Sequence, residues 1–126
     1  MKIEKRFLAE MNRCYSTNHI SVDGQTRILL ATEGEGRCRA WLGPDYTEAH
    51  NGWDGPGGTM SIVPIPGANG EFLAVQKFFK MFQWEEAKVV HVKPLAGGGY
   101  EVTDVLHLPY IHRFDLLTVD GRHYFI

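Results

Sequence analysis

Apolar residues along this chain recur in short runs that alternate with polar ones, and they rarely keep helical spacing. Between 100 and 108, Tyr100, Val102, Leu106 and Leu108 share one parity, with Asp104 as an exception, while Glu101 and Thr103 take the other. A period of two predicts a half-buried strand. The same reading predicts strands over 58–65, 71–76 and 87–93, and before them over 19–22, 26–32, 37–42 and a short one near 46–49. A further strand is expected over 112–119, followed by another apolar run that reaches Ile126. Residues 3–13 place Phe7, Leu8 and Met11 on one side and suit a short helix or an additional strand. Phe78, Met81 and Phe82 have helical spacing and are expected to cover an apolar flank.

Turn chemistry adds a repeat. Asp23-Gly24, Asn69-Gly70 and Asp120-Gly121 each precede an apolar run, and their glycines stand 46 and then 51 residues apart. Asp-Gly and Asn-Gly between apolar segments are strong hairpin signals because both turn positions need positive φ. Recurrence at this period predicts an all-β fold of β-propeller blades, each with four antiparallel strands. The expected organisation is a lead-in over 1–18, a first blade over 19–57, a second over 58–111 and the start of a third over 112–126. A closed propeller takes at least about four blades. The chain is therefore expected to be incomplete, with the remaining blades from missing sequence or from another chain. The alternative is a self-contained sandwich or barrel of about eight to ten strands.

The stretch HRFDLLTVDGRHYFI resembles the blade start of many β-propellers, a likeness of architecture and not of any one family. The Trp-Asp ending of WD blades, the Asp-rich calcium loop of integrin-type repeats and the repeated Gly-Gly of kelch blades are all missing. Propellers include lectins, scaffolds, glycoside hydrolases and polysaccharide lyases, so the resemblance implies a shape and leaves the activity open.

Composition narrows the partners. The chain is 44% hydrophobic and 22% charged with a net charge of -2, and it carries no basic cluster, so nucleic acid is not an expected partner. No apolar stretch is long enough to cross a bilayer, so no membrane role is expected. Glu10 and Arg13 interrupt what would have to be the apolar part of an export signal. Together with only two cysteines, Cys14 and Cys38, this predicts reduced thiols and a cytoplasmic protein. Phosphate-loop, zinc-protease, Cys-x-x-Cys and nucleophile-elbow motifs are absent.

Blade topology would bring 50–57, 77–86, 109–112 and Asn18-His19 to one side. The segment from His50 to Gly58 offers a base or ligand (His50), an amide (Asn51), a flat platform for a sugar ring (Trp53) and a carboxylate (Asp54). Its plainer reading is Trp53 packing on the sheet and Asp54 capping its own turn. Asp54 and His112 are the expected catalytic pair, one stabilising charge and the other moving a proton. His50, Asn51, Trp53, Trp84, Tyr110 and Arg113 are the expected substrate contacts. His19 and His112, at corresponding places in successive repeats, are candidates for a divalent metal. Arg113 suits a substrate carboxylate, though an ion pair with Asp115, on the same side of the strand, is the plainer reading. His91, His107 and His123 are expected to be structural or exposed. The resulting expectation is a carbohydrate-active hydrolase or lyase acting on a sugar or sugar acid. The alternative is a non-catalytic module that binds saccharide or protein.

Overall fold

The computed structural model describes residues 1–79 and 84–126. Its strands are β1 (Cys14–Val22), β2 (Gln25–Thr32), β3 (Arg39–Leu42), β4 (Ala49–Asn51), β5 (Ile62–Pro64), β6 (Phe72–Gln76), β7 (Lys88–Pro94), β8 (Tyr100–His107), β9 (Leu116–Val119) and β10 (Arg122–Phe125). They form two four-stranded antiparallel meanders, β1 to β4 and β5 to β8, and a separate β9–β10 hairpin. The turn signals act locally as expected. Asp23 and Gly24 have φ of 50° and 79°, and Asp120 and Gly121 have 50° and 74°. Both pairs close two-residue hairpins, with Val22 opposite Gln25 and Val119 opposite Arg122.

The two meanders each turn an apolar face to the other. Ile20, Val22, Leu29, Ala31 and Ala40 from the first meet Ile62, Phe72, Ala74, Val90 and Val92 from the second. These positions alternate along their strands, so burial follows from the period of two. Arg27 Nη1 reaches across to the Tyr100 hydroxyl at 3.0 Å. β1 and β5, the first strands of the two meanders, run side by side. Ser16 Oγ donates to the Thr59 carbonyl at 3.0 Å, and Asn18 Nδ2 to the Ile62 carbonyl at 2.8 Å.

The all-β character stands, but the expected propeller does not form. The two meanders and the hairpin remain three discrete sheets, and none closes or curls into a ring of blades. The reason lies in what the repeated signal encodes. An Asp-Gly or Asn-Gly turn dictates antiparallel pairing of its own two flanks and carries no instruction for arranging successive sheets about an axis. At Ile126 the backbone is paired, since its N–H and C=O both bond to Asp115, at 3.1 and 3.0 Å.

Several boundaries also differ. The 3–13 segment is neither helix nor strand. It lies near β2, with Arg6 donating to the Asp45 carbonyl and Leu8 sharing a shallow cavity with Ile28 and Tyr46. The 58–65 strand shrinks to Ile62–Pro64 because Gly58 and Thr59 spend their amides on the Gly34 and Thr32 carbonyls, each at 3.0 Å. The helical spacing of Phe78, Met81 and Phe82 falls partly on 80–83, outside the described residues. Among the described residues no helix is long and apolar enough to cross a membrane.

Both cysteines are free, Cys14 exposed and Cys38 buried. Burial pushes the Cys38 thiol up to about 12 from an ordinary 9.0, and a weak contact with the Thr59 hydroxyl opposes this. The thiolate is the reactive form. One thiol per chain, Cys14, is therefore expected to react with a colorimetric disulfide reagent in the native protein, and two after denaturation. Two fast equivalents in the native state would contradict this packing. The folded chain keeps the Cys38 proton to about 12 while an unfolded one releases it near 9.0. This group's contribution to stability is thus full below pH 9 and declines as pH rises through that window.

Candidate functional site

The glycine-rich segment after β4 is a buried crossover between the two meanders. The Gly52 amide donates to the Cys38 carbonyl at 2.8 Å, and Lys77 and Phe78 donate to the carbonyls of Gly57 and Gly58 at 3.0 and 3.1 Å. Trp53 is 1% exposed and packs edge-on against Phe72, with ring centroids 4.9 Å apart. A ring so enclosed offers no face to a sugar. Asp54 is at the surface, 3.5 Å from Arg37. His50 and Asn51 lie on β4, exposed, with His50 4.0 Å from Glu48. The segment therefore takes the plainer reading for Trp53, and His50, Asn51 and Asp54 line neither the shallow cavity beside Leu8 nor the two clefts beside β1 and β5.

Convergence occurs where β1, β5 and the strand-free stretch before β9 meet. A cleft of about 560 Å³ opens there, lined by Tyr15 to Asn18, Met60 to Pro64, Pro66 and Arg113 to Leu116. That volume lies within the range of small-molecule sites. Each segment arrives for a structural reason. β1 and β5 are held side by side by Ser16 and Asn18, and the Asp115 backbone closes the hairpin onto Ile126. Ser61 Oγ donates to the Phe114 carbonyl at 3.4 Å, linking β5's approach to the hairpin's base.

Tyr15 organises the cleft's polar end. Arg113 Nη2 donates to its hydroxyl at 3.4 Å, and the guanidinium stands over its ring, 5.7 Å from the centroid. His112 Nε2 is 3.3 Å from the same hydroxyl, and the His112 ring packs between Tyr15 and Phe78, 5.9 and 5.0 Å away. The expected pairing of Arg113 with Asp115 is not made. Asp115 instead accepts the Leu116 amide at 2.8 Å, and among the described residues Arg113 has no carboxylate within ion-pair range. Among the described residues Arg113 and Asp115 are the only charged ones lining the cleft.

The other expected residues lie elsewhere. His19 lines a second cleft with Glu71 and the turn after β5. Trp84 and Tyr110 stack loosely, 6.3 Å apart, and the Tyr110 hydroxyl donates to Glu85 at 3.3 Å. His91 bonds to Glu71 at 2.7 Å, and His107 to the Glu85 carbonyl at 2.9 Å. Of the residues expected to act, only Arg113 lines the main cleft, with His112 behind it. Tyr15, Ser61 and Asp115 were not singled out as site residues. A polar run, Tyr15-Ser16-Thr17-Asn18, leading straight into the first apolar strand is the signal that points to the first of them.

Among the described residues no group of three or more His, Cys, Asp or Glu side chains is arranged to hold a metal ion. With the ring of blades not formed, the expected carbohydrate-active propeller enzyme loses its architecture. With Trp53 enclosed, it also loses the aromatic platform on which sugar recognition rested. Comparison with protein-family models, with curated proteins and with solved structures returns no match.

Proposed function

We propose that this protein is a binding domain for a small polar molecule that presents a carboxylate or phosphate group to Arg113 in the cleft between β1, β5 and 113–116. The observation that carries this reading is the guanidinium itself. It is held by the ring and hydroxyl of Tyr15 and carries no carboxylate partner among the described residues. A planar guanidinium matches the two oxygens of a carboxylate or phosphate, and stacking on an aromatic ring orients it before the ligand arrives. Tyr15, Ser61 and Thr17 add hydroxyls around the same space, while Met60 and Phe114 supply apolar wall.

The test is a titration of the ¹⁵N-labelled protein with small carboxylates, inorganic phosphate and amino acids, followed through its amide signals. Arg113→Ala is expected to weaken binding about 10- to 100-fold, the range for a hydrogen bond to a charged group. Arg113→Lys is expected to recover only part of it, because an ammonium lacks the fork. Unchanged affinity in Arg113→Ala, or no response to any of these compounds, would overturn the reading.

A further inference from the structure

Resting on that reading of the cleft, we infer that its ligand is a zwitterion, a small molecule of the α-amino acid type that carries an ammonium group beside its carboxylate. Among the described residues the lining contains one cation and one anion, Arg113 and Asp115, and no ion pair joins them. Two opposite charges in one cleft that do not neutralise each other form a template for a ligand with the complementary pair. A purely anionic ligand would share the cleft with the Asp115 carboxylate, and like charges in one site repel. An ammonium group on the same ligand turns that repulsion into attraction.

Asp115 is placed to serve as the second anchor. Its backbone is pinned by two hydrogen bonds to Ile126, at 3.0 and 3.1 Å. Its side chain makes one local bond, from the Leu116 amide to Oδ1 at 2.8 Å. An ionised carboxylate has about four lone-pair sites, so acceptor capacity remains for an ammonium group. Arg113 is positioned independently, through Tyr15. The two charges are thus fixed by different parts of the structure, the first by β1 and the second by the hairpin. The rest of the lining combines hydroxyls with apolar Met60, Pro64 and Leu116, which suits an uncharged side chain on the ligand.

The experiment compares a panel of free α-amino acids with their N-acetyl and carboxamide derivatives, by amide titration of wild type, Arg113→Gln and Asp115→Asn. Asparagine keeps an oxygen for the Leu116 amide, and retained signal dispersion shows that each variant is folded. At least one free amino acid is expected to bind wild type, with both capped forms weaker by 10-fold or more. Asp115→Asn is expected to weaken the free amino acid by a similar factor and to strengthen the N-acetyl form, whose lone carboxylate no longer shares the cleft with a like charge. If the N-acetyl form binds as well as its parent and Asp115→Asn has no effect, the zwitterion is overturned while the anion-binding cleft stands. If no compound shifts the signals, both fall together.

Discussion

Replacing Trp53 by alanine is expected to cost about 3–5 kcal/mol, the range for removing a fully buried aromatic side chain. Trp53 sits on the crossover between the meanders and belongs to the core they share. It packs edge-on against Phe72, which in turn meets Tyr100 at 6.3 Å. Its loss opens a cavity where both sheets and their connection meet, and the paired strands around it limit how far it can collapse. Small domains have a total stability of about 5–15 kcal/mol, so the variant should be close to unfolding. Trp53→Phe should cost much less. It keeps most of the ring and removes an indole N–H that has no acceptor among the described residues. Urea denaturation followed by far-ultraviolet circular dichroism measures both. An alanine variant within 1 kcal/mol of wild type would show that the meanders do not depend on this contact.

Gly57→Ala is the second large effect, on the order of 3–5 kcal/mol from steric overlap and backbone strain combined. Gly57 has φ of +89°, and a Cβ built there would lie 1.9 Å from the Gly34 carbonyl oxygen. That neighbour is backbone, held because Gly34 O accepts the Gly58 amide at 3.0 Å, so it cannot swing aside as a side chain would. Gly24→Ala provides the comparison. It has a similar φ of +79°, but nothing lies within 4 Å of the added carbon. It should carry only the conformational cost, about 1–2 kcal/mol. The difference between the two variants isolates the close approach of the crossover to the 32–36 segment. Equal losses would mean that this approach does not contribute to stability.

These two variants fall in the segment whose chemistry was most conspicuous in the sequence. His50, Asn51, Trp53 and Asp54 among glycines describe a binding loop and a buried crossover equally well, because both need sharp turns and a shaped backbone. What separates them is whether the tryptophan faces solvent, and that depends on how two sheets stack far apart in sequence. Local pairing was legible. The alternation at 100–108 emerges as β8, although Leu106 and Leu108 on its apolar side are exposed, and Asp23-Gly24 and Asp120-Gly121 close two-residue hairpins. The relation between sheets was not, since regular spacing of hairpin turns is compatible with a ring of blades and with sheets that never close.

The cleft was partly legible through Arg113, whose alternatives of ligand carboxylate or Asp115 were both visible from sequence. Only the geometry shows that the guanidinium meets Tyr15, 98 residues earlier in the chain, and makes no ion pair with that neighbour. Tyr15 itself was hidden by its place in what reads as a lead-in. β1 begins at Cys14, before the apolar run, because polar Ser16 and Asn18 are bonded toward β5 and do not face solvent.

The proposed function puts ligand chemistry between β1, β5 and the base of the hairpin, and not on the glycine-rich crossover. The most direct measurement is the location of ligand-induced changes in the amide titration described above. They are expected to cluster at 15–18, 60–64 and 113–116 and to disappear in Arg113→Ala. Changes centred on 49–55, with 113–116 silent, would contradict this placement and put ligand contacts on the crossover.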